Sequence, residues 1–503
     1  MTRVRSMAQE SLGKAKRSFL LKRFLGFLNA YRRSKRGMLG IGIISFFVVL
    51  SVFAPVIAPN DPHRAGNPPY AEKLCKPAWI GFFEGEETCT YDVYPIEDPE
   101  FSTSASFQQF EQTSDGISVE YDEVGQLRLH YTGNGTGSLE PYNTSTIIGM
   151  NTTWPYKLPP QRFLGNIRYY VINANRSTQV NLTIFFQREN RRYDVWAVTW
   201  RTNMTAWRTD DGLLDSLWTD VVDKYNNDPC GKIFSVPGVY KYGLEIAITD
   251  GSNDPVDIWV YIDRLNLVYY GNAFGLLGTD EQRVDLFSQL IYGARISLIV
   301  GLLSAFLSVS IGLLLGLISG YLGSLVDEIT MRFTDMLLVL PGLPLLLVLI
   351  AVLGPSLWNL ILLIGVLGWM GFARTVRSMV LSLKERPFIE AARAAGAGKF
   401  HIIFTHILPN VFALVYVTLA MSVPGAITAE ASLSWLGLFD PTVVSWGKML
   451  YNFQSAGVVT GSATAYWWWV VPPGIGIAMM ALAFIMMGYA LDEILNPRLR
   501  QRR

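Results

Sequence analysis

The sequence predicts an α-helical polytopic membrane protein with six transmembrane helices and an inserted extracellular all-β sandwich domain. Half of the 503 residues are hydrophobic, and they are spread unevenly. Long uncharged runs fill Met38–Ala58 and most of Ser297–Leu491, while Asn60–Leu277 has the composition of an ordinary soluble domain. Residues 1–37 hold eleven Lys or Arg against the single acid Glu10, an asymmetry hidden by the net charge of +1. Long apolar runs call for membrane helices, and the basic arm sets their orientation.

Residues 1–37 are expected as a basic cytoplasmic segment. Nucleic-acid binding would be another use for such an arm. A basic stretch abutting a hydrophobic span is better explained by retention on the inner side. Residues 38–58 form the first transmembrane helix, a retained anchor without a small-x-small cleavage site.

Residues 63–272 alternate apolar and polar positions, as in Gln179-Val-Asn-Leu-Thr-Ile-Phe185 and Asp257-Ile-Trp-Val-Tyr-Ile-Asp263, between Gly, Pro and Asp turns. Many short alternating strands predict a two-sheet, jelly-roll-like sandwich, similar in pattern to carbohydrate-binding modules. Six Asn-x-Ser/Thr sequons, at Asn134, Asn143, Asn151, Asn175, Asn181 and Asn203, cluster there, so surface glycosylation of an archaeal type is expected. All three cysteines lie near or within this region. Cys75–Cys89 is the expected bridge because its loop is short, with Cys230 able to replace either partner. The acid pairs Asp210-Asp211 and Glu97-Asp98 read as solvated turns rather than calcium or hydrolytic sites, and His130 has no second His nearby, so no metal is expected.

Residues 279–295 carry a capping-box spacing (Thr279, Gln282) and an apolar face of Val284, Phe287, Leu290 and Ile291, which predicts an outer amphipathic helix. The membrane core, 297–491, holds spans at Ser297–Gly320, Met336–Leu353, Leu357–Phe372, Val411–Ile427 and Trp467–Leu491. Gly312, Gly316 and Gly320 repeat every four residues, which suits close helix packing either within the subunit or against a partner. Trp467, Trp468 and Trp469 suit an interfacial belt, and Glu430 is an acid in apolar surroundings at a span end. The loop 373–410 contains Arg374, Arg377, Lys384, Arg386, Arg393 and Lys399, so it falls inside, as does the tail 492–503.

Within that loop, Ile389–Ala395 reads as a short amphipathic helix, Gly396–Gly398 as a turn, and the chain as a second helix to His406 that stops at Pro409. Glu390, Ala391, Ala392, Arg393, Gly396, Ile407, Leu408 and Pro409 resemble the Glu-Ala-Ala…Gly…Ile-x-Leu-Pro coupling loop of permeases from ATP-binding-cassette importers. Phe53-Ala-Pro-Val-Ile-Ala-Pro-Asn-Asp-Pro62, Leu277-Gly-Thr-Asp280, Leu290-Ile-Tyr-Gly-Ala-Arg-Ile-Ser-Leu298, Val326-Asp-Glu328, Met331-Arg332 and Asn496-Pro-Arg-Leu-Arg500 are similar to the second permease type of the dipeptide and oligopeptide importers. One departure is local: where that family has a Gly-Arg pair before an Asp, this chain has Arg283-Val284 before Asp285.

The resemblance implies transport of di- or oligopeptides, or of oligosaccharides as in some relatives. It implies a second homologous permease subunit, two ATPase subunits carrying ATP and Mg, an extracellular substrate-binding protein, and membrane lipid around the spans. Gly398-Lys399 is followed by Phe400 and lacks the leading glycine of a phosphate loop, so no enzymatic activity and no cofactor are expected in this chain. The rival readings, a membrane-anchored glycan-binding receptor or an ectoenzyme, need one anchor and leave the other five spans unexplained.

Overall fold

The computed structural model describes residues 29–64, 66, 70–101, 111–114, 116–122, 125–133, 142–173, 177–210, 214–251, 254–457 and 466–495. They fall into a helical unit drawn from Met1–Gly66 and Val284–Arg503, and a β unit, Asn67–Arg283.

The β unit contains two antiparallel sheets. The first joins β1 (Glu111–Ser114), β4 (Tyr142–Trp154), β6 (Thr178–Arg188), β7 (Arg191–Trp200) and β10 (Gly238–Asp250) in the order β1-β4-β10-β6-β7. The second joins β2 (Ser118–Asp122), β3 (Gln126–Gly133), β5 (Arg162–Asn173), β8 (Arg208–Thr209) and β11 (Val256–Tyr270) in the order β2-β3-β11-β5-β8, with β9 (Leu214–Asp215) also pairing β5. Burial alternates along the strands, strictly so in β5 from Phe163 to Asn173, because successive side chains point to opposite faces. The inward positions, among them Trp154, Phe163, Phe186, Leu244, Val260 and Tyr269, form one continuous core.

The ends of the β unit are closed by charge. The buried guanidinium of Arg162 reaches Asp215 through Nε (2.9 Å) and Nη2 (2.6 Å), and Glu72 through Nη1 (3.2 Å). The other oxygen of Glu72 accepts from Arg283 Nε at 2.8 Å. Arg283 has a φ of 64°, in the left-handed region that favours glycine, at the position where the resembled family carries glycine. Its ion pair with a buried carboxylate offsets that backbone cost, which accounts for the local departure in sequence.

Two expectations fail in this region. Residues 279–285 are not helical: Thr279 bonds Glu72 O (2.5 Å) and Cys75 N (3.0 Å) through its hydroxyl, and the left-handed Arg283 prevents a helix from propagating. The cap is Asp285, which accepts from Phe287 N and opens one long helix. The Cys75–Cys89 bridge is also absent. Cys75, Cys89 and Cys230 are free and buried, with the Cys75 thiol donating to Glu72 O at 3.1 Å. Burial pushes the Cys75 and Cys230 thiols up to about 12, so both are unreactive.

In the helical unit, α1 (Lys35–Val52) precedes α2 (Leu286–Leu322), α3 (Ser324–Val339), α4 (Gly342–Leu353), α5 (Leu357–Leu367), α6 (Met370–Lys384), α7 (Pro387–Ala394), α8 (Lys399–Ile402), α9 (Leu408–Trp435), α10 (Trp446–Ser455) and α11 (Trp467–Leu495). Among the described residues, five helical stretches are long and apolar enough to cross a membrane, and the pair α3 and α4 makes a sixth if counted together. That third span, expected as one run at Met336–Leu353, is bent by 90°. Pro341 lacks an N–H and holds Leu340 extended, so the helix must end before it. The twelve residues of α4 rise about 18 Å, too little to span a core of about 30 Å alone.

The tryptophan belt is narrower than expected. Trp467 is exposed, whereas Trp468 and Trp469 are buried, since neighbours on a helix point about 100° apart. Glu430 is likewise buried rather than at an interface, and it accepts from Ser434 Oγ at 2.8 Å.

Asp92 gives the β unit a pH dependence. It accepts from Gly271 N at 2.7 Å, but burial and the nearby Glu72 charge raise its pKa to about 6. An unfolded chain releases this proton near pH 4, so the β unit loses stability as pH rises from about 4 to about 6 and stays lower above that window. Asp92→Asn should therefore stabilise the unit by about 1–2 kcal/mol at pH 7 and by much less at pH 4. Chemical denaturation at the two pH values checks this; an equal gain at both would contradict it.

Candidate functional site

The candidate site hangs from α6, and α6 is positioned by α2. A Cβ at Gly312 would lie 2.8 Å from Trp369 O, one at Gly316 2.6 Å from Ala373 O, and one at Gly320 2.8 Å from Val380 Cβ. The glycine ladder therefore packs α2 onto α6 within this subunit, resolving the alternative left open by the spacing. Arg377 adds a two-pronged bond to Asp327 of α3 (2.5 and 2.6 Å), and Arg374 pairs with Asp335.

Beyond α6, Pro387 starts α7, where a missing N–H costs nothing. Ile389 is fully buried in a cluster with Val376, Val380, Ile402, Ile407 and Val411. Glu390 lies in the first turn of α7 and Arg393 in the last, matching the helix dipole. Both are exposed, as is Ala391, while Ala392 is half-buried. The turn is made by Gly396 at φ 81° with no atom within 4 Å of a would-be Cβ, so backbone conformation alone demands glycine there.

The end of the loop differs from expectation. Pro409 does not stop a helix. It sits in the first turn of α9, exposed, and is preceded by a π-helical turn at Ile403–Ile407 that continues from α8. The wider turn removes the need for the bond that proline cannot donate. Asn410 Nδ2 donates to His406 O at 2.6 Å. Ile407 is buried and Leu408 half-buried.

Sequence reasoning missed three residues. Phe388, Phe400 and Phe404 are exposed on the outer surface of this loop, at 44%, 78% and 63%. The i, i+4 spacing of Phe400 and Phe404, opposite the buried Ile403 and Ile407, was the available signal. An aromatic knob is thus mounted on a buried isoleucine base.

The other candidates do not assemble into a site. Asn143 and Asn151 are exposed on β4, and Asn181 on β6 accepts from Thr199 Oγ1 at 2.7 Å; alternation puts all three on the outer face of the five-stranded sheet. Asn203 is exposed in the loop after β7, and Asn134 and Asn175 lie outside the described residues. Asp210 is buried and takes bonds from Tyr169 and Arg208, while Asp211 lies outside the described residues. His130 pairs with Asp257 (2.5 Å) and stacks on Trp259 at 3.9 Å. Among the described residues no three His, Cys, Asp or Glu side chains could hold a metal.

The described residues thus combine helices long and apolar enough to cross a membrane with a structured, protruding loop. The family described as binding-protein-dependent transport system inner membrane component matches residues 312–501, and that described as the N-terminal TM domain of oligopeptide transport permease C matches residues 25–77. The dipeptide transport system permease protein DppC of Bacillus subtilis (strain 168) is 38% identical over 225 residues, 44% of this chain and 69% of that protein. A structure of the MetNI methionine ABC transporter in inward-facing conformations aligns with 40% of this chain and 96% of its own, at 20% identity and a TM-score of 0.31. One of TmCBM61 in complex with beta-1,4-galactotriose covers 35% and 97% at 12% identity and a TM-score of 0.19.

The chain belongs to the dipeptide/oligopeptide family of binding-protein-dependent ABC transport permeases. It is a permease subunit and not itself an ATPase, and its β unit is a large insertion between the N-terminal span and the core.

The glycine ladder yields a direct test. Gly316→Ala should lower the thermal unfolding midpoint in nanodiscs, although alanine gains up to about 1 kcal/mol in helix propensity, because its Cβ meets a backbone carbonyl. Gly425→Ala, which meets nothing within 4 Å, should be neutral or stabilising. Equal effects would show that the close approach is not tight.

Proposed function

We propose that this chain is the second-type permease of an importer that carries di- or oligopeptides into the cell, and that Glu390–Pro409 is where an ATPase subunit docks. The observation that carries the reading is the aromatic knob, Phe388, Phe400 and Phe404, set on a buried base and joined to α6 and α9. A short rigid helix with exposed small and aromatic residues suits insertion into a groove of another protein. The cluster of Ile389 with Val376 and Val380 then passes a push on α7 to α6, and Ile407 with Val411 passes it to α9. Peptide as substrate is supported by the name of the Bacillus subtilis relative, a dipeptide transport permease.

The full assembly in this reading contains a second, related permease, two ATPase subunits binding ATP and Mg, and an external substrate-binding protein. Both termini and the loop 373–410 face the cytoplasm, supported by the basic residues of each, and the β unit faces outward. The outward sequon face of the five-stranded sheet agrees with a glycosylated exterior.

Two experiments test this. Gly396→Val forces a β-branched residue into the left-handed region, at a cost of about 1–2 kcal/mol or more. The variant should insert normally yet lose substrate-stimulated ATP hydrolysis in the reconstituted complex; wild-type stimulation would sink the docking assignment. Separately, protease added to intact cells should release a β-unit fragment whose mobility shifts on deglycosylation, with a smaller shift after Asn151→Gln. Protection of the fragment would reverse the topology.

A further inference from the structure

The β unit exposes one feature at odds with the rest of its surface. The chain runs through a 3-10 turn, Ala78–Ile80, into a four-residue helical turn, Gly81–Glu84. Phe82 is 91% exposed and Phe83 80%, the two most exposed aromatic rings of the described β unit. Phe83 contacts the ring of Trp79 (6.1 Å) and that of Phe82 (6.1 Å), and Trp79 Nε1 donates to Leu276 O at 2.8 Å. Leu276 is itself 57% exposed. Trp79, Phe82 and Phe83 thus form one continuous aromatic projection, with the exposed Leu276 held beside it through its carbonyl, whereas other exposed apolar residues of this unit, such as Leu158, Leu217 and Val239, are scattered singly or in pairs.

The projection is rigidly mounted. Ile80 beneath it is buried, and Gly81 lets the turn lie against Cys89, whose Cβ would sit 3.1 Å from a Cβ at that position. Ala78 N donates to Gly275 O, Lys76 N to Asn272 O and Thr279 N to Cys75 O, so the turn is laced to the segment 272–279. An open cleft of about 950 Å³ runs beside it, walled by Trp79, Phe82, Phe83, Tyr91 and Tyr156 with Lys157 at its rim. Large, fully hydrated aromatic rings on a fixed mount are costly to keep in water unless something covers them.

What covers them is indicated by chain connectivity and composition. The projection is built from the two segments by which the β unit joins the membrane unit, Leu276 preceding Val284, where the helical unit resumes, by only eight residues. Residues 77–83, Pro-Ala-Trp-Ile-Gly-Phe-Phe, carry no charge. Trp and Phe at a membrane boundary are stable with their rings at headgroup depth. We propose that Trp79, Phe82, Phe83 and Leu276 dip into the bilayer surface and anchor the β unit to lipid, as a second attachment besides its two covalent connections.

Spin labelling of the full chain in phospholipid nanodiscs tests this. The native thiols are buried, so a cysteine introduced by Phe82→Cys is the site that labels. Its label should collide with oxygen several-fold more than with a water-soluble nickel chelate, while a label placed by Val239→Cys, at an exposed strand position, should show the reverse. A water-like label at 82 would overturn the proposal, and so would one shielded from both reagents, which would mean that protein covers the site. Because a label at 82 could perturb its own depth, Phe82→Asp/Phe83→Asp provides a second reading. In nanodiscs it should raise amide exchange over 78–88 several-fold with the helical unit unchanged; unchanged exchange over 78–88 also overturns the anchor.

Discussion

The close approach of α2 to α6 is the constraint on which the rest of the membrane unit depends. Three glycines one turn apart let α2 meet the backbone at Trp369 and Ala373 and the side chains of Val376 and Val380 more closely than any Cβ would allow. In hydrocarbon there is no hydrophobic drive between helices, so contact of this kind, reinforced by the Arg377–Asp327 ion pair, is what keeps α6 in place. The placement of the loop that follows α6 depends on it. Its base of isoleucines packs on residues of α2 and α6, so the knob is presented at a fixed height and angle instead of swinging on a tether.

The inserted β unit obeys a different rule. It must leave and rejoin the helical unit without disturbing the helix that follows, and the Glu72–Arg162–Asp215–Arg283 network achieves this by closing the two ends on each other. A buried charge group is costly to assemble and strongly destabilising to break, so it serves specificity of closure more than raw stability. The left-handed Arg283 terminates the unit abruptly, and Asp285 starts α2 two residues later. An insertion of this size is tolerated because its ends meet.

Much of this was legible in the sequence, and what was not has identifiable causes. Long apolar runs and strict alternation report the environment of each side chain, and they led to a helical bundle and a two-sheet sandwich. The glycine signals at 312–320 and at 396 were read with the right geometry, whereas threonine, proline and cysteine signals marked special positions but were assigned the wrong one. Thr279 and Gln282 have capping-box spacing, yet the partner that captured Thr279 is Glu72, more than two hundred positions away. Pro409 resists an ordinary turn, but a π turn accommodates it. The cysteines have the spacing of a bridge but are held apart in separate buried settings. In the loop 373–410 the motif residues were found by resemblance, whereas the exposed phenylalanines needed burial to be seen, because a phenylalanine in a helix is more often core than exposed.

The π turn at Ile403–Ile407 also bears on rotational phase. Each residue advances an α-helix by about 100°, but a π turn fits one residue more into about one full, wider turn. The extra residue is therefore absorbed locally, and the faces of α8 and α9 stay in the phase of an uninterrupted helix one residue shorter. Loss of a single residue between 403 and 409 would close the turn as a regular α-helical one and leave Phe400 facing as it does now. The turn is a slack of one residue in the chain, placed between the exposed phenylalanines and the long helix that follows.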